Sequence, residues 1–203
     1  MKTESINITS TGSGREKALE LTEKTGAYVG LDHDNQLRLR LLSEELMGLM
    51  NSFTKELIGS FWLEAKDENI EVHLKTEIPM DLQTRNDILS VSTSGKNSAA
   101  KSFMGKIREM IEIAILPDDP ETKAMTEQAM GLMYSGCQMG THSSNYSWAM
   151  STYVASIETQ SATKAEAKDE LADLERSIVA NLADDVTVHI IGSEVEITIY
   201  KTF

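Results

Sequence analysis

The sequence predicts an α+β fold, a two-layer sandwich in which helices cover one face of an antiparallel or mixed sheet. Two observations favour this class. Strands are expected as hairpins, at 60–65 with 70–76 and at 186–191 with 194–201. Segments with helical periodicity lie between these hairpins. Hairpins make neighbouring strands antiparallel, and such a sheet can bury one face against helices while the other faces water.

Turn residues and alternation mark the strands. Lys66-Asp-Glu-Asn69 separates the first two long strands, and Gly192-Ser193 separates the last two. A shorter strand is predicted at 5–9, where Ser-Ile-Asn-Ile-Thr alternates before a Gly-containing break. Apolar residues alternate through the last hairpin, at Val186, Val188, Ile190, Val195, Ile197 and Ile199. The last hairpin therefore has one apolar face.

Helices are predicted at 15–29, 36–55, 99–116 and 163–182, with a short one at 81–89 before a polar loop at 90–98. The clearest is 36–55, because its apolar residues recur in steps of three and four: Leu39, Leu42, Leu46, Leu49 and Phe53. At about 100° per residue, Glu44, Gly48 and Asn51 fall on the opposite side of that helix.

The chain of 203 residues is expected to form a single domain, 1–203, with an insertion at about 117–161. The insertion is rich in Met, Gly, Ser and Tyr, and short helical pieces around a mobile centre at 131–146 are expected in it. Two roles stay open for this Met-rich stretch. It is either an adaptable surface or lid, or a flexible loop in which Met fills gaps.

Composition excludes several classes of function. The net charge of −13 argues against nonspecific binding to nucleic acid or to an anionic membrane. The single cysteine, Cys137, fits a reducing compartment, and the sequence shows neither an apolar signal core nor a membrane span. We therefore expect a cytoplasmic protein. The four histidines are scattered without metal-ligand spacing, so no zinc site is predicted.

One helix carries a short motif with a family resemblance. Leu41-Leu-Ser-Glu-Glu-Leu-Met-Gly48 follows a strand, a helix and a Gly30-Leu31 break, and it precedes a strand hairpin. This order and this motif resemble the GHKL ATPase fold, in particular the small anti-sigma-factor kinases of bacteria. The resemblance implies a GHKL-like fold, a site for ATP and Mg²⁺, and Glu44 as the catalytic general base. It also implies a homodimer, since kinases of this type often dimerise.

The sequence departs from the family at the residues that bind nucleotide. Gly48 occupies the position of the family's Mg²⁺-binding Asn, and Asn51, about one turn further along, is the candidate substitute. The family's Asp-x-Gly-x-Gly motif for adenine is replaced by Lys75-Thr-Glu-Ile-Pro-Met-Asp81, which has no glycine. Glu77 and Asp81 are the residues left there to meet an adenine amino group.

A candidate phosphate site lies in the polar loop and the helix after it. Ser94-Gly95-Lys96-Asn97 can offer backbone N–H groups, a hydroxyl and a positive charge to a phosphate. The following helix adds its N-terminal dipole. Three further residues complete the candidate set for cofactor binding: Lys101, Gly105 and Lys106. The alternative is a polar loop that caps a helix, with its lysines in water.

Two functions of different classes remain open. In the first, the protein is an ATP-binding regulatory protein similar to the anti-sigma-type kinases, with Glu44 and the loop at 92–97 at its site. In the second, it is a non-enzymatic module on a degenerate GHKL-like fold, and it binds a protein partner through the Met-rich stretch or the sheet. The missing glycine motif and Gly48 favour the second for catalysis, and the Ser-Gly-Lys-Asn loop favours the first for binding.

Overall fold

The structure is a computed structural model that describes residues 1–53, 56–79, 102–115, 137–139, 145–161 and 165–203. The helix expected at 81–89 and the polar loop expected at 90–98 lie outside the described residues.

The described strands form one sheet in which every pairing is antiparallel, in the order β1-β2-β3-β7-β6-β5-β4. This confirms the α+β class, and both predicted hairpins are present. The strands are β1 (Ile6–Thr9), β2 (Ile58–Lys66), β3 (Asn69–Glu77), β4 (Cys137–Met139), β5 (Asn145–Ala149), β6 (Asp185–Ile191) and β7 (Glu194–Thr202).

The described helices are α1 (Arg15–Tyr28), α2 (His33–Asn51), α3 (Phe103–Ala114), α4 (Met150–Ser161), α5 (Ala165–Glu175) and α6 (Ile178–Leu182). The single helix expected at 163–182 is wrong, since α5 and α6 are separate. Ser177 starts α6 as its N-cap, because its side chain accepts a hydrogen bond from the Ala180 N–H. The apolar register runs through this break, which is why periodicity does not reveal it.

The core lies between one face of the sheet and the helices. Phe61 and Leu63 of β2, Ile70 and Val72 of β3, and Leu42 of α2 are fully buried there. Each such side chain contributes about 1.5–3 kcal/mol through burial. Among the described helices, none combines the length and the apolar character needed to cross a membrane.

Part of the expected insertion belongs to the core. β5 pairs along its length with β6, and α4 follows it directly. Trp148 of β5 is 1% exposed, and its ring centroid lies 6.2 Å from Phe103 and 5.8 Å from Tyr153. The expectation of short helical pieces around a loop is therefore wrong for 145–149, where five residues form a strand of the sheet.

Candidate functional site

The outward side of α2 carries the residues that the motif singled out. Asp32 begins the helix as its N-cap by accepting a hydrogen bond from the Asn35 N–H at 2.8 Å. Leu42 and Leu46 turn toward the core, so Glu44, Gly48 and Asn51 lie on the other side. Asn51 is exposed, and a Cβ added at Gly48 would meet no atom within 4 Å. This side of α2 is therefore accessible among the described residues.

Glu44 is engaged by an arginine. The Arg40 Nε donates to Glu44 Oε1 at 3.1 Å, and the Arg40 Nη1 donates to Glu23 of α1. Arg40 thus bridges two carboxylates across the α1–α2 contact. Glu44 therefore already has a charged hydrogen-bond partner within this chain.

The structure brings α2 and α3 together. The Arg108 Nη1 donates to the Ser52 carbonyl at 2.8 Å, just after the end of α2, and Arg108 is only 8% exposed. A cation at a helix C-terminus is favourable because it meets the negative end of the helix dipole. Burial raises the pKa of Glu112, one turn further along α3, and Arg108 opposes that rise.

The first turn of α3 holds the predicted Gly105. Ser102 is the N-cap, and its hydroxyl accepts from the Gly105 N–H at 3.1 Å. The Gly105 amide is therefore used inside the helix rather than offered to an anion. The predicted residues Asp81, Ser94, Gly95, Lys96, Asn97 and Lys101 lie outside the described residues.

Lys106 is held by two carboxylates. Its Nζ lies 2.6 Å from Glu170 Oε2 and 2.6 Å from Asp173 Oδ2, both on α5. Burial works against the charge, but these contacts raise the pKa of Lys106. The Tyr153 hydroxyl also donates to Glu170, and burial together with that hydrogen bond raises the pKa of Tyr153. Lys106 thus joins α3 to α5 and uses its charge there.

Glu77, which the sequence predicts at the nucleotide site, does not lie near the outward side of α2. It ends β3, where neighbouring Thr76 is buried, so alternation places Glu77 on the face of the sheet away from the helices. Its Oε1 accepts from the Ser193 hydroxyl at 3.0 Å.

A cleft that the sequence did not reveal opens at the N-terminus of α3. It has a volume of about 260 Å³ between α2, α3 and the α5–α6 break. Its polar lining includes Glu45, Ser102, Arg176 and Ser177. Arg176 is far from α3 in sequence, and it bonds Asp173 at 3.3 Å. Only the fold could show that this guanidinium lies near the start of α3.

The described residues of the candidate site interact with one another through ion pairs and hydrogen bonds. Among them, no group of three or more His, Cys, Asp or Glu side chains is arranged to hold a metal ion. In comparisons with known proteins, the chain matches no protein-family model, no curated protein and no solved structure.

Proposed function

We propose that this protein is an ATP-binding regulatory protein of GHKL-like architecture that binds the nucleotide without efficient hydrolysis. The observation that carries the proposal is the packing of α2 against α3. The helix with the Glu44 motif presents an open side, and the helix that follows the Ser94-Gly-Lys-Asn97 loop meets its C-terminal end through Arg108. The helix that carries Glu44 and the helix that follows the polar loop in sequence are therefore neighbours, which supports a shared site.

The cleft at the start of α3 supports an anion at this place. The first backbone N–H groups of a helix and its dipole favour a phosphate. Arg176 and Ser102 add a guanidinium and a hydroxyl at the same cleft. Glu45 and Asp173 also line it and work against an anion, so Lys96 and Lys101 are proposed to complete the positive charge.

Weak hydrolysis follows from the state of the motif residues. Glu44 accepts a hydrogen bond from the Arg40 guanidinium, so one of its carboxylate oxygens is already engaged by this chain. Gly48 has no side chain to bind Mg²⁺ where the family has Asn. We therefore expect the protein to bind ATP but to hydrolyse it poorly.

Binding is tested by thermal unfolding with Mg-ATP, with ADP and Mg²⁺ alone as comparisons. A ligand at 100 times its Kd stabilises the folded state by about 2.7 kcal/mol, which raises the unfolding midpoint by several degrees. We expect this rise for the wild type and for Lys168→Ala, a control on the exposed side of α5, and a smaller rise for Lys96→Ala and Arg176→Ala. An unchanged midpoint at millimolar ATP would sink the proposal.

Hydrolysis is tested separately by phosphate release from Mg-ATP. We expect a rate close to that of ATP without protein. A rate well above this background that is abolished in Glu44→Gln would show that Glu44 is a working base, and the non-hydrolytic half of the proposal would be wrong.

A further inference from the structure

The outer face of the sheet, meaning the side of β2, β3 and β7 turned away from the helices, carries an excess of carboxylates. Five glutamates lie there, with Lys2, Lys66 and Lys75 as the lysines: Glu64, Glu71, Glu77, Glu194 and Glu196. Glu64 is directly opposite Glu71, and Glu77 is directly opposite Glu194. Like charges in directly opposed positions destabilise a sheet, so this face repels itself.

A buried histidine lies at the centre of this charge. His73 is 7% exposed and stacks on Trp62 with ring centroids 4.7 Å apart. Its Nδ1 lies 3.1 Å from the Thr198 hydroxyl and 3.5 Å from Glu196 Oε1. Its Nε2 lies 3.2 Å from Glu71 Oε2 and 3.9 Å from Glu64 Oε1. Three carboxylates from three strands therefore converge on one ring.

The Nε2 atom of His73 is buried and has no hydrogen-bond partner among the described residues. An unpaired buried polar atom costs about 1–3 kcal/mol. It lies near Glu64 and Glu71, whose side chains are 39% and 42% exposed. The position therefore suits an incoming group that can donate to the ring nitrogen and to the carboxylates together.

Two lysines of this face already pair with two of its glutamates. Lys2 bonds Glu64 at 2.8 Å and lies 4.9 Å from the centroid of the Trp62 ring, and Lys75 bonds Glu194 at 2.8 Å. Glu64 thus has a cation of this chain as its partner, whereas Glu71 and Glu196 face the His73 ring from two strands. A metal ion is not the ligand we infer, because no described group is arranged to hold one.

We propose that the outer face binds a basic protein segment, with an arginine or lysine side chain seated between Glu71 and Glu196 beside the Trp62–His73 stack. A guanidinium offers five N–H donors, pairs with carboxylates and stacks on aromatic rings. Its charge offsets those of Glu71 and Glu196, the two carboxylates that face the ring without a lysine bonded to them among the described residues. This surface lies on the other side of the sheet from the nucleotide site, so the two proposals stand or fall independently.

The test uses the full chain and a fluorescein-labelled peptide of alternating arginine and serine, with anisotropy as the readout. Glu71→Gln/Glu196→Gln removes two charges from the face, and Glu16→Gln/Glu20→Gln removes two from the exposed side of α1. We expect the wild type and the α1 variant to bind alike within about twofold, and the outer-face variant to bind at least about tenfold more weakly.

Site-specific binding also changes Trp62 fluorescence, and Trp62→Phe removes that signal while the buried Trp148 stays as the internal reference. A peptide in which glutamate replaces arginine should not bind. The proposal is overturned if the arginine peptide does not bind. It is also overturned if both double variants lose affinity equally, since net charge alone would then explain the binding.

Discussion

The glycines of this molecule differ in whether the backbone or the packing around them requires the absence of a side chain. Gly14 has a φ of 80°, and a Cβ there would lie 2.1 Å from the Asn7 carbonyl oxygen, so no other residue fits without rearrangement. At Gly59 of β2, a Cβ would lie 2.9 Å from the Met50 sulfur and 3.0 Å from the Lys75 carbonyl oxygen. Gly48 has neither a positive φ nor a close neighbour, because a Cβ added there would meet no atom within 4 Å.

We therefore predict that Gly48→Ala raises the free energy of unfolding by about 0.5–1 kcal/mol, the usual gain when alanine replaces glycine inside a helix. Urea unfolding measures the change. Gly59→Ala is the matched control, and it should be destabilised because Lys75 contributes rigid backbone at that contact. A loss of stability in Gly48→Ala would contradict the prediction and would mean that another group packs closely against α2 at this position.

At the scale of helices and strands, the sequence predicts those elements whose apolar residues recur at a regular spacing. α2 and the last hairpin are predicted correctly because their apolar residues repeat over many positions. β5 is not predicted, because its five residues, Asn145-Tyr-Ser-Trp-Ala149, are a short segment in a Ser-rich stretch with only Tyr146 and Trp148 on the core face. Its identity as a strand comes from pairing with β6, which is a tertiary contact.

The candidate site shows the same limit. The Arg40–Glu44 pair is an i,i+4 contact on one helix, so it can be predicted from the sequence once the helix is known. The carboxylate partners of Lys106, Glu170 and Asp173, are 64 and 67 residues away in the sequence. The sequence therefore predicts an anion site from the spacing of Lys106 to Lys101 and does not reveal these partners. Arg176 reaches the start of α3 only because α5 ends there.

Lys106 is thus predicted to stabilise the packing of α3 against α5. Among the described residues, Lys106→Met keeps the aliphatic stem but leaves Glu170 without a cation and Asp173 with Arg176 alone, in positions where the two side chains are 22% and 26% exposed. Because the group is only partly buried, we expect a loss of about 1–3 kcal/mol, below the 3–5 kcal/mol of a fully buried pair. Urea unfolding without nucleotide measures it.

Lys168→Met, on the exposed side of the same helix α5, serves as the control and should change stability by no more than about 0.5 kcal/mol. If Lys106→Met unfolds like the wild type, Lys106 is dispensable for the fold. Its charge would then be available for the phosphate role that the sequence suggested.

At the scale of the whole molecule, the two ends of the sheet share one core. Buried residues of α2, β2 and β3 belong to the same apolar cluster as Trp148, Tyr153 and Val188. The sheet is continuous from β1 through β7 and β6 to β5, with β7 at its centre. A chain organised in this way is expected to unfold in one cooperative transition.

Trp148→Ala tests this unity. Removing a fully buried tryptophan side chain costs about 3–5 kcal/mol, a large share of the roughly 5–15 kcal/mol that stabilises a typical domain. If 145–161 is part of the single core, Trp62 fluorescence at β2 and circular dichroism of the whole chain will both shift to lower urea by the same amount. Tyr28→Ala, at a side chain that is 76% exposed, should leave both curves within about 0.5 kcal/mol of the wild type. If the segment were a peripheral insertion, Trp148→Ala would leave the Trp62 transition in place and add an earlier one, because the loss would be confined to β5 and α4.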